Sequence, residues 1–334
     1  MLKTILIGFG NIAANYADDL SMKKWFKYST HLQVLDDHPD FYLKAIVDNN
    51  IIALEKAKGL GKIPEIKLNV DDLDNPDEFD VAVLAIPPQG RIDIIKKLSK
   101  VKAIIFEKPL ALDICDGQYI IDFCQDRQII AEVNFPRRFD KKVIESKEKL
   151  SNDLGKIQSA FAIYGNGLNN NGSHLLDLTR MFFGDCVWVQ SLANGECDNS
   201  SSIRNDLNIP FALGFKNGVK LFAQAIEFDN YREVYLDLWG AKGRLSFLQE
   251  GLLSAYSSLK KHRFSENDYE LENDNRLISL MDQSNAMYNL YDFLNLKIKN
   301  KDFSNQNLIY SLEVIQIIKK IELSFLRNDE RIFL

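Results

Sequence analysis

Short apolar runs alternate with amphipathic stretches along the first third of the chain. Five runs are almost continuously apolar, as strands buried on both faces of a parallel sheet are, and they cover residues 4–7, 42–47, 81–86, 103–106 and 129–133. Helices are predicted between them over 11–37, with an interruption near 22–27, and over 51–59, 90–100 and 113–127. This alternation predicts an α/β domain with a doubly wound parallel sheet over residues 1–135.

A different pattern begins after Phe139. Beyond a helix over 141–150, strands are predicted over 157–164, 187–193, 209–216, 219–228, 233–239 and 244–248, with hairpin turns at 217–218 and 240–243. A helix over 171–183 ends at Gly184, residues 199–206 are expected to form a mobile loop, and amphipathic helices over 277–299 and 305–326 are expected to pack back on the body. Residues 136–334 therefore predict an α+β domain with a large, mostly antiparallel sheet.

Composition and charge narrow the classes of protein. The net charge of -6 and pI near 5.4 argue against a nucleic-acid or anionic-membrane surface, and no apolar run reaches the roughly 18 residues of a membrane span. The amino-terminal run is expected to be a strand rather than a signal peptide. The four cysteines lack CxxC spacing and the four histidines are scattered, so we expect reduced thiols, a cytoplasmic protein and no metal site.

A glycine-rich turn follows the first predicted strand. Gly8-Phe9-Gly10-Asn11-Ile12-Ala13 fits G-x-G-x-x-G/A, and its place between a strand and a helix is the context in which this pattern binds a dinucleotide, NAD or NADP. Gly8 permits the tight turn, Gly10 lets the backbone approach a pyrophosphate, and the helix N-terminus presents N–H groups to the anion. A purely structural turn is the alternative.

Asp48 closes the second predicted strand, where the adenosine ribose would lie. A carboxylate there accepts hydrogen bonds from the ribose hydroxyls and repels a 2′-phosphate, so NAD is preferred over NADP. Asp48 follows Gly10 by 38 residues, more than the usual about 20, and the excess can be assigned to residues 18–27. Alternatively, Asp48 is a turn residue or the cap before the helix that begins at Ile51.

Two further groups could handle protons. Glu107-Lys108-Pro109 directly follows a buried strand, at the carboxyl edge of the sheet where doubly wound folds bind ligands. A partly desolvated lysine there could exchange a proton with a substrate hydroxyl, although an ordinary solvated lysine is the alternative. Asn170, His174 and Asp177 are spaced to share one helix face, and His174 titrates near neutral pH. The alternative is structural: Asn170 or Asn171 caps the helix, and Asp177 pairs with Arg180.

Seven short segments follow one another in a characteristic order: GFGNIA at 8–13, AIVD at 45–48, AIPP at 85–88, EKPL at 107–110, NFPRRFD at 134–140, GSHLLD at 172–177 and WGAKGRL at 239–245. Together they resemble the glucose–fructose oxidoreductase / inositol dehydrogenase / MocA-like (Gfo/Idh/MocA) family over most of the chain. The resemblance implies a Rossmann domain and hydride transfer between nicotinamide and a secondary alcohol or ketone of a sugar, cyclitol or nucleotide-linked sugar.

The resemblance also implies roles for individual residues. Lys108 and His174 would be the proton-handling pair, and Asn170 stands where the family usually has an aspartate, so it could orient a hydroxyl or the imidazole but could not take a proton. The antiparallel sheet would serve as substrate wall and as the interface of a homodimer or homotetramer. Besides the glycine turn and Asp48, the expected nucleotide contacts are Ile86, Pro87, Glu107 and Lys108, and the expected substrate contacts are Tyr164, Asn171, Asp177 and Arg138.

Two other functions fit the same fold. One is a catalytically silent NAD-binding sensor, which the missing aspartate at position 170 would suit. The other is reduction of a C=C or imine bond. Because a sensor needs neither Lys108 nor His174, the presence of both favours an enzyme of sugar or polyol redox.

Overall fold

The computed structural model describes residues 1–194, 205–273 and 276–334. The elements of the first 139 residues are β1 (Leu2–Ile7), α1 (Leu20–Trp25), α2 (His31–Asp37), β2 (Phe41–Val47), α3 (Ile51–Gly59), β3 (Glu65–Lys67), β4 (Val81–Leu84), α4 (Arg91–Lys97), β5 (Ala103–Phe106), α5 (Ile114–Asp126) and β6 (Ile130–Val133). Short 3-10 helices cover Asn15–Asp18, Val70–Asp72, Pro76–Glu78 and Pro136–Phe139.

The rest of the chain adds four more α-helices among the described residues, the second sheet and a π-helical segment at Gly167–Gly172. Its elements are α6 (Lys141–Asp153), β7 (Ile157–Tyr164), α7 (Ser173–Phe183), β8 (Cys186–Ser191), β9 (Phe211–Phe215), β10 (Lys220–Ala225), β11 (Tyr235–Gly240), β12 (Gly243–Leu248), β13 (Leu253–Lys261), β14 (Tyr269–Leu271), β15 (Leu277–Leu280), α8 (Gln283–Asn300), α9 (Gln306–Leu326) and β16 (Ile332–Phe333). In the described part of the chain, no helix is both long and apolar enough to cross a membrane.

The chain forms two compact units. Residues Met1–Phe139 and Ser284–Leu312 make the first, and Asp140–Gln283 and Glu313–Leu334 make the second. The predicted division at residue 135 is close to the first crossing, but assigning everything after it to one domain is corrected here, because α8 belongs to the first unit. Its apolar side chains Met287, Leu290, Tyr291 and Leu294 are buried in the same core as Leu6 and Phe41.

The first unit is built around a six-stranded parallel sheet in the order β3-β2-β1-β4-β5-β6. The five predicted strands are confirmed, and the fold class predicted for this part of the chain is correct. The short β3 was missed, because three residues with only one buried side chain give no apolar run. The strand order reverses between β1 and β4, and doubly wound sheets bind ligands at the carboxyl edge beside such a reversal.

The first crossover was predicted as a helix over 11–37 with an interruption near 22–27, but α1 covers most of that interruption and the break before α2 lies at 26–30. One turn follows the glycine motif, in which the N–H of Ala14 donates to the carbonyl of Gly10 at 2.9 Å, and the short helix α1 is capped by Asp19. Helix α2 starts afresh at His31, where Thr30 and Gln33 form a capping box. Caps within the segment divide one predicted helix into separate pieces.

The second unit is built on a ten-stranded sheet in the order β14-β13-β12-β11-β7-β10-β9-β8-β16, with β15 paired to β13. Both predicted hairpins are confirmed, since β9 pairs antiparallel with β10 and β11 with β12. One pair, β7 and β10, is parallel, so the sheet is mixed but mostly antiparallel. Residues 277–280, predicted as helix, form β15 instead, because a short apolar run fits either element and pairing with β13 supplies its backbone hydrogen bonds.

Helices α7 and α9 cover one face of this sheet. Their side chains Leu175, Leu178, Val314 and Ile318 share one buried core with alternate residues of the strands. On the opposite face Phe161 and Phe222 remain 45% and 42% exposed, and their rings stack with centroids 6.0 Å apart. The two faces therefore differ: one is packed by helices, and the other presents aromatic side chains to its surroundings.

Candidate active site

The glycine turn stands at the end of β1, beside the reversal of strand order. Gly8 has a φ of +88°, and a Cβ atom there would lie 2.5 Å from the carbonyl oxygen of Ala85, so the loop after β4 packs directly on this glycine. Gly10 is different, because an added Cβ would meet no protein atom within 4 Å. The protein's own packing thus requires Gly8, whereas the space above Gly10 is open for a bound group.

The backbone N–H groups after Gly8 are available to such a group. Within the described residues, the N–H groups of Gly10, Asn11, Ile12 and Ala13 donate to no protein acceptor. Consecutive N–H groups in a turn form a concavity that binds anions, and phosphate is the anion that glycine turns of this kind hold. The turn supplies these donors even though the long helix predicted after it is absent.

Asp48 lies one residue beyond β2 and supports this turn. One carboxylate oxygen accepts the N–H of Phe9 at 2.6 Å and the other accepts the N–H of Asn50 at 2.7 Å. The cap of α3 is Asn50, whose side chain accepts from Ile52, so Asp48 is not the helix cap. A carboxylate has about four acceptor positions, so the half-buried Asp48 retains capacity for ligand hydroxyls.

Residues after β4 and β5 meet the same edge of the sheet. Ile86 is half-buried and Pro87 exposed in the loop after β4, and Lys108, in a cis peptide bond to Pro109, is half-buried after β5. The buried Arg91 joins the two loops: its guanidinium donates to the carbonyls of Ile86 at 2.5 Å and Pro109 at 2.5 Å. Burial lowers the pKa of Arg91 to about 10, against the opposing charge of Glu107, so Arg91 remains a cation at neutral pH. Arg91 was missed in the sequence, because nothing in a polar helix start indicates that its guanidinium is buried.

One carboxylate oxygen of Glu107 is engaged inside the first unit. Its Oε1 atom accepts from Asn134 Nδ2 at 2.6 Å and contacts His31 Nε2 at 2.9 Å. The side chains of His31 and Asn134 are almost wholly buried, whereas 12% of the Glu107 side chain is exposed. Neither His31 nor Asn134 was expected in the site, since their contacts join distant parts of the sequence.

In the second unit, His174 lies near the start of α7, directly after the π-helical segment. Asn170, Asn171 and His174 are half-buried, whereas Asp177 is 2% exposed. A π turn holds more residues than the 3.6 of an α turn, so a step of four across this junction comes close to one full turn and keeps Asn170 and His174 on one side. The residue that precedes α7 as its cap is Gly172, so capping by Asn170 or Asn171 is corrected.

A buried aspartate holds the π-helical segment, and sequence analysis missed it. Asp206 is 1% exposed, and its carboxylate accepts the N–H of Asn169 at 2.8 Å, the Nδ2 of Asn169 at 3.0 Å and the N–H of Asn170 at 3.0 Å. Asn208 accepts the N–H of Gly167 at 2.8 Å. The predicted mobile loop covers 199–206, of which 199–204 lie outside the described residues, whereas its last residue, Asp206, is buried.

Three expected substrate contacts, Tyr164, Arg138 and Asp177, differ in their surroundings. Tyr164 is fully buried, and its hydroxyl donates to the carbonyl of Ile209 at 2.7 Å while accepting the N–H of Ile209 at 3.0 Å, so its role is structural. Arg138 donates to the carbonyl of Asn307 at 2.6 Å within the first unit. With its low exposure, Asp177 belongs to the interior of α7. The expected substrate contact of Tyr164 is therefore wrong, because its hydroxyl is buried and occupied, whereas the contacts of Arg138 and Asp177 with a substrate stay predictions.

One family model matches the amino-terminal part of the chain. Residues 2–135 match the family described as "Oxidoreductase family, NAD-binding Rossmann fold" (GFO_IDH_MocA). The sequence has no significant match among curated proteins.

Solved structures resemble nearly the whole chain. A putative NADPH-dependent oxidoreductase from Desulfitobacterium hafniense has a TM-score of 0.81 at 12% identity, with 99% of this chain and 97% of that one covered. A putative myo-inositol dehydrogenase from Sinorhizobium meliloti has a TM-score of 0.73 at 16% identity, covering 100% and 99%. A 3-ketoreductase mutant from Actinomadura kijaniata, in complex with TDP-benzene and NADP, has a TM-score of 0.72 at 14% identity, covering 97% of each chain. At such identities the likeness establishes the fold alone.

Proposed function

We propose that this chain, which carries the NAD-binding Rossmann domain of the Gfo/Idh/MocA oxidoreductases over residues 2–135, is an NAD(P)-dependent dehydrogenase or reductase. Its substrate would be a secondary alcohol or ketone of a sugar, cyclitol or nucleotide-linked sugar. The similar structures named as a 3-ketoreductase and a putative myo-inositol dehydrogenase support this substrate class.

One observation carries the proposal: the glycine turn and Lys108 stand at the same carboxyl edge of one parallel sheet. The turn offers four backbone N–H groups, and Arg91 ties the loop that follows β4 to the segment that carries Lys108. This arrangement supports a proton-handling role for Lys108 beside a bound dinucleotide. A protein that only sensed the nucleotide would need no such lysine.

The reaction divides among few residues. The glycine turn and Asp48 would hold NAD(P), which would supply the hydride acceptor or donor. Lys108, fixed at the sheet edge, takes the proton from the substrate hydroxyl in oxidation and returns it in reduction. His174 shares this proton transfer, and Asn170, which has no titratable group, orients a hydroxyl through its amide. A positioned acid or base contributes roughly 10²–10⁴-fold to kcat.

The preference of the site is for NAD over NADP. The carboxylate of Asp48 is fixed by two backbone N–H groups, so it cannot turn away from a 2′-phosphate without losing them. A negative charge held there repels the phosphate and accepts hydrogen bonds from ribose hydroxyls.

The test is turnover of NAD(H) with a panel of inositols, keto-sugars and nucleotide-activated sugars. Lys108→Ala and His174→Ala should each lower kcat by roughly 10²–10⁴-fold, with NADH affinity within about threefold of wild type. Lys102→Ala is the matched control, because Lys102 is 59% exposed and pairs with Asp80 before β5 begins. Variants that turn over like wild type on the true substrate would refute the assignment of these residues.

A nucleotide sensor is the second candidate, and Asn170 is the observation that favours it. An amide where the family usually has an aspartate cannot support an imidazolium by its charge. A wild type that binds NADH tightly but reduces no substrate of the panel would establish the sensor instead of the enzyme.

A further inference from the structure

His31 contacts two parts of the proposed nucleotide site, the glycine turn and Glu107. Its backbone N–H donates to the carbonyl of Ile12 in the glycine turn at 3.1 Å, and the next N–H, of Leu32, donates to Ala13 at 2.9 Å. Its side chain reaches Glu107 at 2.9 Å. One residue at the start of α2 therefore holds both the turn that would bind the pyrophosphate and the glutamate that precedes Lys108.

Both ring nitrogens of this imidazole have hydrogen-bond partners, which restricts its tautomer. Nδ1 lies 2.8 Å from the hydroxyl of Tyr291, and Nε2 lies 2.9 Å from Oε1 of Glu107. Burial first, and then the charge of Glu107, raise the pKa of Tyr291 well above its usual value, so the phenol keeps its proton. If Tyr291 donates to Nδ1, the ring proton must be on Nε2, where it is donated to Glu107. With an imidazolium, the Tyr291 hydroxyl would instead have to accept from Nδ1.

This chain leaves one oxygen of Glu107 available. Oε1 receives both Asn134 and His31, whereas Oε2 accepts no hydrogen bond from the described residues. Oε2 is also absent from the buried polar atoms without partners, and the side chain is 12% exposed, so Oε2 reaches solvent. Because two donors hold Oε1, the orientation of Oε2 is fixed as well. Glu107 directly follows β5, so this oxygen lies at the carboxyl edge of the sheet.

We propose that His31 is a positioning residue of the nucleotide site: as the Nε2–H imidazole it holds Glu107 so that Oε2 accepts an N–H or O–H group of the bound dinucleotide. This inference rests on the proposed function, because it requires that the site bind NAD(H). The glycine motif and Lys108 by themselves assign no role to His31.

The chain offers a matched control at the other end of the same helix. His38 follows α2, is equally buried, and also uses both ring nitrogens, with Nε2 3.1 Å from Asp292 and Nδ1 accepting the N–H of Asp40 at 3.2 Å. It stacks on Tyr288 at 4.8 Å and has no contact with Glu107. Substitutions at His38 therefore remove a buried histidine without touching the glutamate.

The experiment measures the NADH dissociation constant by fluorescence for His31→Leu, His31→Gln, His38→Leu and His38→Gln, with unfolding midpoints as the check on folding. His31→Leu should weaken NADH binding roughly tenfold, as loss of a hydrogen bond to a charged group does. His31→Gln, whose amide can still donate to Glu107, should recover most of the affinity. Both His38 variants should bind NADH within twofold of wild type, even where their unfolding midpoints fall.

Two measurements keep the test decisive if His31→Leu does not fold. Tyr291→Phe should weaken NADH binding at least threefold, with Tyr288→Phe on the same helix as its control. A nitrogen-15 NMR spectrum of the wild type at pH 7.5, without nucleotide, should show the Nε2–H form of His31. Equal NADH affinity of the His31 and His38 variants, or an Nδ1–H ring in the spectrum, would overturn the inference alone. A wild type that does not bind NADH would remove the proposed function with it.

Discussion

The carboxylate of Asp206 is predicted to hold the geometry of the His174 region. Asp206→Ala removes all three hydrogen bonds that it accepts from Asn169 and Asn170, two of them from backbone N–H groups. A hydrogen bond contributes about 1 kcal/mol net to stability, and more where the acceptor is charged. Part of this loss is offset because solvent can reach the half-buried Asn169 and Asn170 and hydrogen-bond their donors. We therefore expect the free energy of unfolding to fall by about 2–3 kcal/mol. Asp206→Asn keeps one acceptor oxygen and should cost about 1–2 kcal/mol.

Two assays separate a local effect from a global one. Urea unfolding gives the total loss, with an unchanged m-value if the native state is otherwise intact. Hydrogen exchange of the Asn169 and Asn170 amides should accelerate more than exchange in the β7 core, because these two donors lose their acceptor directly. Asp229→Asn, at an exposed position of the same unit, is the control and should change neither. Unaltered exchange at both amides in Asp206→Ala would refute the role assigned to the carboxylate.

Three further predictions concern other parts of the molecule. Titration calorimetry should give wild type at least roughly tenfold tighter binding of NADH than of NADPH, about 1.4 kcal/mol, and Asp48→Ala should reduce that ratio; equal wild-type affinities would contradict the role of Asp48. Lys297 donates to Glu132 at 2.9 Å in the interior of the first unit, so Lys297→Met should destabilise the protein by about 3–5 kcal/mol. Burial raises the pKa of Glu132 and the charge of Lys297 opposes this, so Lys297→Met should raise the pKa of Glu132 further. A carboxyl with a raised folded pKa stabilises the protein at low pH and loses that contribution as pH rises through the folded pKa. The loss of stability in Lys297→Met should therefore be smaller near pH 5 than near pH 8. We also propose that the exposed face carrying Phe161 and Phe222 forms a homodimer or homotetramer interface, so light scattering should show an oligomer that Phe222→Asp dissociates, and a wild-type monomer at micromolar concentration would contradict this.

The predictable part of the molecule is the part that depends on local pattern. Buried parallel strands are continuous apolar runs, and Asn217-Gly218 encodes its own hairpin, so these elements followed from the sequence. The strand at 277–280 did not, because its helical and extended forms differ only in pairing with β13, which is distant in sequence. The capped break before His31 could have been found from Thr30 and Gln33, which fit the capping-box pattern.

The candidate site divides along the same line. Gly8, Asp48 and Lys108 were predictable because each follows a buried strand, and strand ends of a parallel sheet share one edge. Arg91, His31 and Asp206 were not, since their significance lies in burial and in partners far along the chain. Tyr164 was misplaced for a related reason: its position at the end of β7 gives no indication that its hydroxyl is occupied by Ile209.

The division of the chain into units has a consequence for synthesis on the ribosome. The core of the first unit includes Leu290 and Tyr291, and that of the second includes Ile317 and Ile321. Domains usually fold as they emerge, amino-terminal first. Here the first core needs residues 287–294 and the second needs residues 314–332, so both nascent sheets stay incomplete until these residues have left the exit tunnel. A nonsense mutation before α8 would thus remove part of both cores, and neither half would survive as a separate folded fragment.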